Sequence, residues 1–585
     1  MNQTRVLAPA HDAGHERLAR IARTWRAAAG QYPIAVLVLV LGFLVLYPIG
    51  AVVFNSLLAG GPGEAVGFSA WQEAFREPGL VRSITNTFKV QLVTQGISLP
   101  AAILIAWILA RTDVPFGRTI EFGFWIMFFL PALGVTTGWL LFFDAHFGLA
   151  NRWLIASGLV DSAPFDMFSL WGIVFAHLTT YAVSVKVMLL TPAFRNLDGA
   201  IEEASRVCGA SPLRTLTRVV IPIMTPAIFV VFLMSLIRGL EAFEIELFLG
   251  MPFDFMVYST EIYRLVANAP PDYAKASVLA TSILAAMLPL IILQRWAATR
   301  RSYAVVSGKS SPSLTKLGRW RWPVFFLLLA LVCFMSLLPL ALLTAGSFMT
   351  LFGFFDVPDL WTASHWRAAL GDSTFVLGFR NMLYLGAGTA LAAVVVYSLV
   401  AYCTVRLRNL WQAPLDILSW LPLTIPGIIL GFGYLFMVLQ VPVFNPLYGT
   451  IFVMILISFL ASMTLGVQVL KVHMLQIGEE IEEAGRVVGG SWLRTFRSII
   501  TPLTAPSLAV VGVLIFASTI RQIGSIILLS TGETRVLALL QLEFLADGRL
   551  GPAAVVGTVI VLISLLAAAL IRIVSVRFGI RAGPG

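Results

Sequence analysis

The sequence predicts an all-α integral membrane protein of about 12 transmembrane helices, arranged as two tandem six-helix halves. Three observations carry this reading. Of 585 residues, 58% are apolar and only 12% charged, with a mean hydropathy of +0.88, too little polar surface to clothe a water-soluble globule. Apolar runs long enough to cross roughly 30 Å of hydrocarbon recur along the whole chain. One charged, Gly-punctuated stretch is written twice, from Ile201 and again from Ile481.

The N-terminal segment 1–32 places Arg17, Arg20 and Arg23 at three-residue spacing with Leu18, Ile21 and Trp25 between them. This pattern predicts a basic amphipathic helix on the inner leaflet. A signal peptide fits poorly, because the charged lead is about 30 residues long and the apolar run after it has the length of a span. The first half, 33–294, holds runs at 33–57, 86–110, 120–143, 168–191, 219–240 and 276–293. Polar residues inside them, such as Lys89, Gln91, Gln95 and His177, must face other helices or a wet cavity. Segment 295–322 is basic and rich in Ser, Gly and Lys, and reads as a cytoplasmic linker. The second half, 323–585, holds runs at 323–345, 381–404, 418–439, 448–470, 499–520 and 553–573.

The halves repeat one another. Asn86, Thr94, Ala106 and Arg111 have counterparts Asn381, Thr389, Ala401 and Arg406 at an offset of 295, and the doubled stretch has an offset of 280. The change of offset puts the length differences in loops, and a parallel duplication about an axis along the membrane normal follows.

Lys and Arg concentrate in the segments that are cytoplasmic when both termini are inside, and basic residues resist translocation. The opposite loops carry Glu241, Glu244, Glu246, Asp254, Glu261 and Asp272. Both copies of the doubled stretch are then cytoplasmic, in a multi-pass membrane protein. The net charge of +10 reads as topology and attraction to anionic lipid, with no module for nucleic acid beside it.

Several chemistries find no support. Cys208, Cys333 and Cys403 are single and form no disulfide framework or zinc site. His11 and His15 stand one helical turn apart with no third ligand nearby. The linker phrase GKSS resembles the end of a phosphate-cradling loop, but the Gly required five positions before Gly308 is Tyr303. With no Ser-His-Asp or paired-carboxylate constellation the chain does not read as an enzyme. Its energy must come from another protein or an ion gradient.

In the first copy, Ile201, Ala204, Val207 and Cys208 share one helical face, with Glu202, Glu203 and Arg206 elsewhere. Gly209 suits a positive φ that ends the helix, Ser211 can cap the next one, and Pro212 suits its first position. The second helix runs through Leu213, Leu216 and Val219 into the membrane, where Pro222 and Pro226 are expected to bend it. The second copy keeps half of the window: Ile481, Glu482, Glu483, Ala484, Arg486, Val487, Gly489, Ser491, Leu493, Arg494, Thr495, Pro502 and Pro506. One reading has both copies stabilise a loop. The other has a protruding amphipathic helix fill a partner's groove.

These residues resemble a known signature. Glu203, Ala204, Ser205, Gly209 and Pro222, with Glu483, Ala484, Gly485, Gly489 and Pro502, look like the EAA loops of type I binding-protein-dependent ABC importer permeases, here at about 193–222 and 473–502. Ser205 and Gly485 stand where the family often has a second Ala, and Thr501 where it usually has Leu. The resemblance implies a fused pair of permease domains with no cofactor of their own, docked on two cytoplasmic ATPase subunits that bind ATP and Mg. It implies a coupling role for Glu203, Ala204, Arg206, Gly209, Glu483, Ala484, Arg486 and Gly489, and a soluble binding protein that delivers solute from the far side.

Beyond the fifth span, Arg238, Glu241 and Glu244 recur at three-residue intervals, close to one helical face. The second half keeps Arg521 but has Gly524 and Ile527 in place of the acids. Two readings stand: charges at a helix end with Arg238 pairing Glu241, or carboxylates at the outer mouth that pass a hard cation transiently. Both phrases resemble the ferric-iron uptake group, and fused permeases for thiamine and phosphonates share the layout. The rival from another class is a secondary transporter of the major facilitator type, for which ARTDVPFGRT around Asp113 is a faint echo and the doubled loop has no use.

Overall fold

The structure, a computed structural model, describes residues 32–58, 66–300, 314–406 and 410–578. The N-terminal amphipathic reading (to residue 31), the pair His11 and His15, and the linker phrase GKSS lie outside the described residues. Among the described residues the chain is helical, with isolated bridges and no strand. Among the described residues nine helices are long and apolar enough to cross a membrane, or up to 12 when three bent pairs each count as one span.

The first half comprises α1 (Tyr32–Asn55), α2 (Pro78–Arg111), the pair α3 (Gly117–Met127) and α4 (Ala132–Phe143), and the pair α5 (Leu170–His177) and α6 (Ser184–Arg195). It continues with the short α7 (Gly199–Val207), then α8 (Ile221–Leu240), the short α9 (Glu244–Gly250) and α10 (Tyr258–Ala267), and α11 (Tyr273–Arg300). In the second half, α12 (Arg321–Val332) and α13 (Leu338–Ser347) form one span. There follow α14 (Ser373–Arg406), the pair α15 (Gln412–Trp420) and α16 (Gly427–Gln440), α17 (Ile451–Met474), the short α18 (Glu479–Val487), α19 (Thr501–Thr519), the short α20 (Leu537–Ala546), and α21 (Leu550–Arg577). The linker is shorter than expected, because α11 runs to Arg300 and helix resumes at Gly318.

Three expected spans are not straight. The runs at 120–143 and 418–439 bend by 101° and 111°, and the run at 168–191 by 43°. Pro131 and Pro426 stand as the N-cap residues of α4 and α16. A proline removes the amide that would continue the preceding helix and clashes with its carbonyl, so the chain turns there. The milder bend has no proline at the break and follows a π-helical turn, Leu178–Ala182. Conversely, Pro222 and Pro226 do not break their span, which runs unbroken from Pro212 to Leu240. A π-turn, Leu216–Val220, precedes Pro222, and Phe496–Ile500 does the same before Pro502. The wider turn accommodates the missing proline amide.

The halves exchange their first spans. α1 packs on α15 and α16 of the second half, and α13 packs on α4 of the first. Both contacts rest on a glycine at the same repeat position. A Cβ on Gly138 would stand 2.0 Å from the carbonyl oxygen of Pro339, and one on Gly433 would stand 2.5 Å from that of Pro48. Such small residues let membrane helices approach closely, where dispersion rather than water exclusion holds them. Tyr434 adds a hydrogen bond to the Leu44 carbonyl at 2.8 Å.

Of the polar residues expected to be sheltered, Gln91, Gln95 and His177 are buried, whereas Lys89 is exposed. α2 has 34 residues, roughly 51 Å, against about 30 Å of hydrocarbon. Lys89 lies roughly 33 Å before the Arg111 end, so its ammonium reaches the interface.

Candidate functional site

Each doubled stretch folds as expected in outline. Asp198 caps α7 by accepting from the Ala200 amide at 3.0 Å. The helix closes at Gly209 (φ +80°), and Ser211 accepts from the Arg214 amide at 3.3 Å ahead of Pro212. In the second copy Gly489 has φ +84° and Ser491 accepts from the Arg494 amide at 3.4 Å. A β-carbon is disfavoured at both glycines by the left-handed backbone.

The apolar face of the first copy points away from the protein. Ile201, Ala204, Val207 and Cys208 are exposed, Val207 at 89%, while Glu202 is 1% exposed. Glu202 turns inward because Arg111, buried at the end of α2, needs a carboxylate: Nε donates to Glu202 Oε1 at 3.0 Å and Nη1 to the Leu197 carbonyl at 3.1 Å. An unpaired guanidinium there would be costly. The second half repeats the joint, with Arg406 Nε to Glu482 Oε1 at 2.7 Å and Tyr402 donating to Glu482 Oε2 at 2.8 Å. Trp107 takes the Tyr402 position in the first half, and its Nε1 is buried without a hydrogen-bond partner.

The residues of the EAA pattern itself therefore face outward. Glu203 is exposed with Arg206 at 3.9 Å, and Ala204, Glu483 and Ala484 are exposed, whereas Ser205 is half-buried and Gly485 is buried. Val487, Leu213 and Leu493 extend this outward apolar surface. The Arg486 side chain lies outside the described residues. Sequence reasoning passed over Arg111, Glu202, Arg406 and Glu482 as a set. Their signal was present in the shared repeat offsets.

At the centre, the structure brings the charged residues after α8 against the second half. Arg238 Nη1 donates to Glu241 Oε2 at 2.9 Å, the pairing of the blander reading. Glu244, which opens α9, faces the Ile523 amide and Arg521. Arg521 donates to the Phe128 and Leu130 carbonyls, in the break between α3 and α4, and lies over the Phe128 ring at 5.3 Å. Deeper, Glu246 Oε1 meets His177 Nε2 at 2.6 Å, Tyr181 reaches His177 Nδ1 at 3.0 Å, and Glu246 Oε2 is buried without a partner.

Gln91, Thr94, Gln95 and Ser98 form a buried polar face on α2, and Lys186 Nζ donates to Ser98 Oγ at 2.9 Å and to the Ala182 carbonyl at 2.8 Å. The repeat positions are Gly386, Thr389, Ala390 and Ala393, with Gly466 for Lys186 and Ile457 for His177. The polar centre thus belongs to the first half. Among the described residues no group of three or more His, Cys, Asp or Glu is placed to hold a metal ion. Between the halves, a cavity of about 880 Å³ is bordered by α9, α10 and α20 and carries Asp144, His146, Tyr263, Arg535 and Glu543 on its wall.

The fold and these sites define a multi-pass helical membrane protein of two exchanged halves, with a pair of matching, outward-facing short helices and a one-sided polar centre. No family model matches the chain. It is 28% identical over 406 residues to the ferric transport system permease protein FbpB of Actinobacillus pleuropneumoniae, a match covering 67% of this chain and 56% of that one. It is 22% identical over 411 residues to the Fe(3+)-transport system permease protein FbpB 2 of Haemophilus influenzae, covering 67% and 74%. The chain thus spans a little over half the length of the first of these relatives. A solved bacterial alginate ABC transporter, in complex with an alginate pentasaccharide-bound periplasmic protein, shares 19% identity over 48% of this chain and 96% of its own, with a TM-score of 0.39. Over two thirds of its length the chain is similar to permease proteins of ferric-iron transport systems.

Proposed function

We propose that this chain is the transmembrane permease subunit of an ATP-driven, binding-protein-dependent importer, and that its solute is ferric iron. The observation that carries the reading is the duplicated outward-facing helix, α7 and α18, each with an exposed apolar tip and each tied to its own half by a buried ion pair. With each bent pair counted as one span, six crossings separate the two helices, so both emerge on one face. Two copies of a cytoplasmic ATPase dock there, one on each helix in helix-in-groove fashion. ATP and Mg belong to those subunits, and this chain binds no cofactor and catalyses no reaction. The excess of Lys and Arg places the docking face, and both termini, on the cytoplasmic side of a bacterial inner membrane. A periplasmic or extracellular binding protein delivers the solute to the opposite face.

Ferric iron is supported by the relatives' names and by chemistry. Carboxylate oxygens are preferred ligands of hard cations, and Glu241 pairs with Arg238 while Glu244 faces Arg521 of the second half. Glu241→Gln combined with Glu244→Gln is expected to lower iron uptake about tenfold, equivalent to ~1.4 kcal/mol on the rate-limiting passage, while ATPase binding is kept. Uptake of radioactive iron by membrane vesicles checks this, and an unchanged rate removes the two acids from the pathway. Proton-coupled uptake by the chain without any ATPase would replace the importer reading with that of a secondary transporter.

A further inference from the structure

We infer that α2 and α14 are push-rods: each carries the movement of its docking helix to the loop on the opposite face, through Arg111 and Arg406 at one end and Asn86 and Asn381 at the other. The inference rests on the importer reading above. It concerns positioning residues, since none of the four touches the solute.

The near ends are the buried ion pairs. α7 packs closely on the turns that follow it, and α18 does likewise. Their ties to the long spans are Glu202 to Arg111, across 91 residues, and Glu482 to Arg406, across 76. The far ends are equally matched. Asn86 Nδ2 donates to the Met256 carbonyl at 3.0 Å, and Thr87 accepts from the Tyr258 amide at 3.0 Å, just where α10 begins. Asn381 Nδ2 donates to the Glu533 and Arg535 carbonyls at 2.8 and 3.0 Å, just before α20. α10 and α20 are the helices that border the cavity between the halves. Both rods are unbroken helices of 34 residues, while other spans are bent. From Asn86 to Arg111 is roughly 37 Å of continuous helix, with Pro100 inside it.

Between its ends α2 presents Gln91 to Gly239, where any β-carbon would collide with the amide oxygen at 1.8 Å. A shift of the rod therefore moves its polar face directly past the end of α8, beside Glu241. Hydrogen bonds at two ends of one continuous helix are what a lever needs, and their recurrence in both halves is not required by packing alone. Much of the two rods has diverged, as Thr87 to Met382 and Gln91 to Gly386, while Asn86 and Arg111 persist at the two ends, with Thr94 and Ala106 between them.

The test uses the full chain assembled with its ATPase in lipid nanodiscs and liposomes. Near-end variants pair Arg111→Gln with Glu202→Gln, and Arg406→Gln with Glu482→Gln, so that no lone charge is left buried. Far-end variants are Asn86→Ala and Asn381→Ala. Arg111→Lys is the conservative control. We expect ATPase binding and thermal stability to be kept in the far-end variants, with the ATP hydrolysed per iron imported rising tenfold or more, and Arg111→Lys to restore part of the coupling. A fluorophore at the opposite-face cavity is expected to lose its response to ATP. A wild-type ratio of ATP to iron and a wild-type fluorescence response in the far-end variants would overturn the inference. A wild-type chain that retains no ATPase would overturn the importer reading itself, which separates the two failures.

Discussion

Glu203→Lys combined with Glu483→Lys is expected to abolish co-purification of the ATPase while the chain still inserts and folds. Both carboxylates point away from the protein, Glu203 with 61% of its side chain exposed, so neither substitution touches the core. Surface changes of this kind usually alter stability by no more than about 0.5 kcal/mol. At an interface the sign matters far more: reversing a charge that meets a complementary groove costs about 2–5 kcal/mol when the partner group is left buried. Two docking sites lost together therefore correspond to a fall in apparent affinity of ~1,000-fold or more, read by affinity capture from detergent extracts. Either single variant is expected to retain one ATPase and to lose transport. Retention of both ATPases by the double variant would return α7 and α18 to the loop-stabilising reading.

Gly138→Leu and Gly433→Leu, made separately, are expected to be the most damaging single changes to the fold. At each site the neighbour that a Cβ would strike is a backbone carbonyl, Pro339 at 2.0 Å and Pro48 at 2.5 Å, and a carbonyl cannot swing aside as a flexible side chain can. Overpacking costs about 1–3 kcal/mol in ordinary cores. Here it also forces the exchanged first span off its partner half. Each variant should show a lowered midpoint of thermal aggregation and a several-fold lower yield of monodisperse protein, and the double variant should not survive extraction. Gly96, with nothing within 4 Å of a Cβ, supplies the control: Gly96→Ala should be neutral or stabilising by up to ~1 kcal/mol, as expected for alanine in a helix. A harmless Gly138→Leu would mean that the halves are not locked by these crossings.

The fold was legible because the bilayer imposes it. Hydropathy gives the spans, and the repeat gives the two halves, since a membrane leaves the backbone few alternatives to helix. The doubled short helices were legible down to the cap at Ser211 and the glycine at 209. The bends of the third and ninth runs were less so. Pro131 and Pro426 sat in plain view, but a proline breaks one membrane helix and is absorbed by a π-turn in another, as before Pro222, and only the neighbouring packing decides. The sequence left two readings of α7, a loop stabiliser or a helix for a partner's groove, for a physical reason. An amphipathic pattern says that one face meets apolar matter without saying whether that matter belongs to the same chain. Arg111, buried beneath the helix, claimed Glu202 and left Val207 outside. The central charges were individually visible at Arg238, Glu241, Glu244 and Arg521. Their meeting across the halves, through the break at Phe128 to Leu130, depends on contacts between residues nearly 400 positions apart, beyond the reach of local pattern.

The most direct measurement of the central claim is the mass of the intact complex captured through this chain from native membranes. One chain carrying two copies of an ATP-hydrolysing subunit is the expected composition, with both copies lost on reversal of Glu203 and Glu483. A chain that emerges alone, or with a partner attached to the face opposite α7 and α18 and none on these helices, would contradict it.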